Sequence, residues 1–274
     1  MVCLFNKNSE AETSQRIEKH KTITPHSLPS EGLGWVPIMI HSAIDMERAV
    51  LERGFLPFFR CGIPGFSIEE MTAGELWFSD EDDGPWEWKG PVIREGHCAY
   101  GKLFAKKAGY VSLEWLPHLI NYRRTLNYAK DDDTAALDDV VLQTIISEGS
   151  ATVKELRRML GFARGRRRTA DDLVDDMPEA VKLSLEPVLT RLMMSVRVVI
   201  SDFEYNTDRH GRPYGWGVAR YTTPENLYGR LDAGCTPQES HDMMVRHLCR
   251  MLPYAQEKDI LKLTDGKVIK KVKR

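Results

Sequence analysis

The sequence predicts an α+β fold, mainly helical, in which a winged helix of three helices and a β-hairpin follows an N-terminal aromatic-rich domain of mixed α/β structure. Three features predict it. Apolar residues recur at helical spacing between Leu137 and Met193, then give way at residues 196–205 to a β-branched and aromatic run. A capping box, Thr152-Val-Lys-Glu155, opens a helix inside the helical stretch. Upstream, residues 55–122 mix aromatic side chains with turn residues and cations.

Taken in order, residues 1–34 are polar and broken by Pro25, Pro29 and Gly32, which predicts a poorly ordered surface arm. Order begins near Trp35. A helix over residues 42–54 is expected to turn Ile44, Ala49, Val50 and Leu51 inward and to end at Gly54. Residues 55–66 carry too many prolines and glycines for a long regular element and predict an irregular packed wall. Asp80 to Asp83 read as a solvated loop, and Lys130-Asp-Asp-Asp-Thr134 as a linker. The domains expected are therefore 35–135, 136–226 for the winged helix, and 227–274 for a C-terminal helix and basic tail.

Within the second of these, Leu137, Val141 and Ile145 mark a helix that Gly149 ends, and Val153, Leu156 and Leu160 mark another that Gly161 stops. A third begins near Ser184, with Leu185, Val188, Leu189, Leu192 and Met193 on one stripe. The turn at residues 206–215 joins the strand-like run to a second one at 216–223, predicting a hairpin. Downstream, Thr236-Pro-Gln-Glu239 is a further capping box with proline at the first helical position.

Composition narrows the function. The chain has 274 residues, 42% of them hydrophobic, and no apolar run approaches the roughly 20 residues of a membrane span. No export signal is evident at the start, so a cytoplasmic location is expected. Five cysteines without a Cys-x-x-Cys pair predict neither a disulfide framework nor a zinc site. No phosphate loop, dinucleotide fingerprint or nucleophile elbow is present, and no cofactor is expected. With a net charge of −2, any affinity for nucleic acid must come from local clusters.

Such a cluster exists. Lys154, Arg157, Arg158, Arg164, Arg166, Arg167 and Arg168 face only Glu155 between residues 150 and 168, a pattern suited to phosphates. Six acids between residues 169 and 186 oppose it, which keeps a protein-contact role open for the winged helix. In a winged helix the third helix would offer Thr190, Arg191 and Met194 to a major groove, and the wing tip Arg209, His210 and Arg212 to the backbone. DNA, duplex or distorted, is thus the expected partner. Trp86, Trp88, Tyr100, Lys102, Tyr122 and Arg123 form the candidate pocket, where rings could stack on bases and cations could hold phosphates. Packing with a solvated cationic rim accounts for the same residues. Glu87 and Lys89 are the catalytic candidates. Glu87 could orient water beside an extruded base, or Glu87-Trp-Lys89 could join Asp82 or Asp83 in a metal-dependent nuclease.

Pro85-Trp-Glu-Trp-Lys, Ala99-Tyr-Gly-Lys-Leu-Phe-Ala-Lys-Lys-Ala-Gly-Tyr, Asn121-Tyr-Arg-Arg, Ser201-Asp-Phe-Glu-Tyr and Tyr214-Gly-Trp-Gly-Val-Ala-Arg-Tyr together resemble the bacterial AlkZ-related family. The resemblance covers most of the chain from Trp35 onward. It implies a relation to winged-helix DNA glycosylases that remove alkylated or cross-linked bases, and so a DNA-directed role in repair. The Gln-x-Asp or Gln-x-Gln catalytic motif of those enzymes is missing: Gln15, Gln143, Gln238 and Gln256 are followed two residues later by Ile, Ile, Ser and Lys.

Overall fold

The computed structural model describes residues 39–78, 83–161, 185–207, 209 and 213–266. Its first helix, α1 (Ala43–Arg53), is capped at one end by the Ser42 hydroxyl, which accepts from the Asp45 amide, and at the other by Gly54 at φ +75°. Only a residue without Cβ takes that conformation at no steric cost. Of the expected inward residues Ala49 and Val50 are buried, joined by Met46 and Arg53, whereas Ile44 and Leu51 face solvent. The i, i+3, i+4, i+7 spacing starts two residues later than the most apolar choice suggests.

The stretch expected to be irregular contains a short strand, β1 (Phe55–Pro57), and one helical turn, α2 (Ile68–Met71), follows it. The tryptophan-rich tract is helical: α3 (Pro85–Glu95) begins with proline at its first position and ends at Gly96 in the left-handed region. Gly84 precedes it where the chain passes Leu76 so closely that a Cβ would stand 1.8 Å from that carbonyl oxygen. Strands β2 (Cys98–Phe104) and β3 (Lys107–Ser112) form a hairpin whose two turn residues, Ala105 and Lys106, both have positive φ. Helix α4 (Leu116–Arg123) follows.

The tract read as a linker is a helix start. Asp131 caps α5 (Asp132–Glu148) by accepting from the Thr134 amide, and Asp132 and Asp133 complement the positive end of its dipole. Next come β4 (Ser150–Thr152), α6 (Val153–Met159), α7 (Leu185–Met194), β5 (Val199–Thr207) and β6 (Pro213–Thr222). The chain closes with α8 (Pro224–Tyr228), α9 (Pro237–Met251) and α10 (Glu257–Asp265).

The structure is therefore mixed α and β, and its described strands form a single antiparallel sheet in the order β1-β3-β2-β5-β6-β4. Leu56, Tyr110, Tyr100, Ile200, Tyr221 and Ala151 are successive cross-strand partners, one from each strand, and so share one face. The Tyr100–Ile200 pairing carries the sheet across the expected boundary near residue 135. Packing crosses it as well, since one hydrophobic cluster runs from Ile40 to Leu263. No helix among the described residues is long and apolar enough to cross a membrane.

Candidate nucleic-acid interface

Helix α6 is placed by its capping box: the Glu155 amide donates to Thr152 Oγ1 at 3.3 Å, and the Thr152 amide donates to Glu155 Oε2 at 2.8 Å. Leu156 anchors the helix in the core, which leaves Lys154 and Arg158 exposed and Arg157 half-buried. Arg157 lines a cleft of about 170 Å³ with Lys102, Val153, Glu186, Leu189, Met193 and Tyr221. Residues from β2, α6, α7 and β6 thus meet there. Lys102 Nζ donates to Glu186 Oε1 at 2.9 Å, and that contact holds the Glu186 carboxyl below its usual range. Lys102 and Arg157, 55 positions apart in sequence, are brought together; Glu186 is one of the acids expected to oppose the cations, whereas nothing in the local pattern of Tyr221 reveals its place here.

Helix α7 is enclosed by α5 on one side and β2 on the other. Its residues are buried except Glu186, Pro187 and the half-buried Arg191, and Thr190 is only 8% exposed. Arg191 is engaged by Asp138 of α5, with Nε 2.8 Å from Oδ2 and Nη2 2.5 Å from Oδ1. Burial raises the Asp138 carboxyl above its usual range against the pull of Arg191. The helix has little surface left for a groove. Of the expected outer face, Thr190 and Met194 are buried and Arg191 is held by Asp138 of α5, a contact that periodicity cannot disclose.

A second group lies around α3. Lys89 Nζ stands 4.5 Å from the Phe203 ring centre, 4.6 Å from that of Trp86 and 5.9 Å from that of Phe58. Burial lowers its ammonium to about 8, with Glu87 opposing. Trp86, half-buried, packs against Phe58, Phe59 and Trp77. Trp88 and Tyr100 are core residues; Tyr100 contacts Tyr110 and Phe203, and burial pushes its hydroxyl well above the usual range. Exposed Glu87 caps α3, its carboxylate accepting from the Gly84 amide at 3.0 Å. Asp83 is exposed, while Asp82 lies outside the described residues. Among the described residues no group of three His, Cys, Asp or Glu side chains is placed to hold a metal ion.

The remaining pair sits on α4. Tyr122 donates to Asp265 Oδ1 at 3.2 Å and packs on His241, with its hydroxyl pushed up to about 12 by burial and by Asp265. Arg123 is fully buried and donates to four carbonyls: Leu103 at 2.6 Å, Met194 at 3.1 Å, Leu263 at 2.6 Å and Thr264 at 2.7 Å. Three of them belong to the C-terminal turns of α7 and α10, whose unsatisfied, partly negative ends supply the counter-charge. This guanidinium ties the interior together and cannot reach phosphate as it stands. Arg209 is exposed between the hairpin strands; Arg164, Arg166, Arg167, Arg168, His210 and Arg212 lie outside the described residues.

Residues 40–265 match the model of the AlkZ-related family. No curated protein and no solved structure matches the chain. Because the family match takes in every described helix and strand, the protein is a member of the AlkZ-related family.

Proposed function

We propose that this protein is a winged-helix DNA-binding protein with a role linked to repair of damaged DNA. The winged helix is formed by α5, β4, α6, α7 and the β5–β6 hairpin. Pairing of β4 with β6 supports that reading, since it completes a small three-stranded sheet beside three helices. The observation that carries the proposal is the basic face of α6, where Arg157 enters the cleft and Lys154 and Arg158 are exposed beside it, while Lys102 in the same cleft is held by Glu186. In this reading α6 meets the phosphates in place of the covered α7. Arg220 of β6 adds nothing to that surface, because Glu204 and Glu155 hold it.

The test is a titration of plain, mismatched and alkylated duplexes by fluorescence anisotropy across a salt series. Replacing Lys154, Arg157 and Arg158 by glutamine is expected to flatten the plot of log affinity against log salt by about 2 to 3, close to 0.9 per lost phosphate contact. An unchanged slope refutes this placement of the interface. Absence of binding to every duplex at low salt refutes the DNA role and leaves a protein-contact module.

A base-excision reading rests on one further observation. Glu186, held ionised by Lys102, lines the cleft with Tyr221, so a carboxylate able to orient water stands beside an aromatic ring. Release of abasic sites from alkylated duplex, lost in Glu186→Gln, supports this reading; no release on any lesion rejects it.

A further inference from the structure

The loop before α9 meets α4 far in sequence from the cleft residues, and four polar side chains converge there. Cys235 Sγ lies 3.2 Å from Ser240 Oγ and 3.8 Å from His118 Nδ1, and Ser240 Oγ lies 3.2 Å from the same imidazole nitrogen. Asn121 fixes the arrangement, its Nδ2 donating to the Cys235 carbonyl at 2.8 Å and to Ser240 Oγ at 2.9 Å. A hydroxyl has one proton and two lone pairs. With one lone pair taken by Asn121, Ser240 can accept from the thiol and donate to His118, which defines one direction of proton flow. Burial lowers the His118 imidazolium, with Glu114 opposing, and favours the neutral ring that accepts this proton.

We propose that Cys235 is a nucleophilic thiol, served by a Ser240–His118 proton relay, that takes up small carbon electrophiles bearing a displaceable group. The S–H proton passes to Ser240 Oγ as Ser240 passes its own to His118 Nδ1. The sulfur electron pair forms the S–C bond, the bond from carbon to the leaving group breaks with its pair on that group, and the imidazolium returns its proton to solvent. Thiolate character decides such reactivity. Half-burial of Cys235 restricts the partner to small reagents. The other described thiols lack this setting: Cys98 is buried, Cys61 donates to the Phe66 carbonyl, and Cys249 is exposed. His118 and Ser240 act through the thiol and are positioning residues; Glu114 and Glu239 are the nearby carboxylates, the latter engaged by Thr236.

The experiment alkylates the full chain with iodoacetamide at pH 6 to 9 and reads each cysteine by peptide mass spectrometry. At pH 7, Cys235 is expected to react at least about threefold faster than the more exposed Cys249, because the relay takes up its proton as the S–C bond forms. His118→Gln should erase that excess at every pH of the series. Ser240→Ala should do the same while removing a single buried oxygen, and protection of the buried Cys98 from alkylation reports in both variants whether the fold is intact. A Cys235 rate no higher than that of Cys249 overturns the proposal. So does an excess that survives both substitutions.

Discussion

Arg123→Met tests the reasoning about the buried guanidinium most severely. Methionine occupies much of the same channel, so the variant removes four hydrogen bonds and the charge while leaving a modest void. A net hydrogen bond to a charged group contributes about 1.5–3 kcal/mol, but not all four carbonyls stay dry once the donor has gone. The helix-terminal ones can recruit water or neighbouring amides. The expected cost is therefore about 3–5 kcal/mol, the range for removing one side of a buried charge arrangement and a large part of the roughly 5–15 kcal/mol that holds an ordinary domain together. Arg123→Lys should recover only part of it, because an ammonium has three donors and no planar fork. Urea unfolding followed by tryptophan fluorescence, with equal slopes for the two proteins, measures the difference. A loss below about 1 kcal/mol in the methionine variant would falsify the view that Arg123 joins α4, β2, α7 and α10.

Asp138→Ala should destabilise by about 2 kcal/mol, because it leaves Arg191 half-buried without its acceptor; the double variant with Arg191→Ala should lose less than the sum of the singles, and additivity would show that the pair is uncoupled. An unfolded lysine titrates near 10.4, whereas burial brings Lys89 to about 8, so between those values the unfolded chain holds the extra proton and stability should climb with pH. Lys89→Met should lack that component, and superimposable stability–pH curves for the two proteins would reject the assignment. Gly84→Ala should cost about 2 kcal/mol or more, since its Cβ meets the Leu76 carbonyl; an unchanged melting temperature would mean that the approach relaxes freely.

What the sequence discloses here is set by local chemistry. Thr152 and Thr236 start helices with their glutamates three residues on, Gly54 and Gly149 end them at positive φ, and the β5–β6 hairpin follows from its β-branched run. The β2–β3 hairpin was hidden, because Ala105 and Lys106 are not the residues that announce a turn with two positive φ angles. Helix α3 was obscured by Pro85, Gly90 and Pro91. The acidic run at Asp131–Asp133 carried a cap signal that its charge made resemble a linker. Among the site candidates, Arg157 and Lys102 meet at one cleft, but no spacing rule joins them. Arg123 looked like a surface cation because the carbonyls that claim it come from elements up to 141 residues away.

The sheet row from Leu56 to Ala151 stitches the early and late parts of the chain into one surface. Strands from both halves are thus seams of one fabric, and cutting the chain near residue 135 would strip β2 and β5 of a neighbour each.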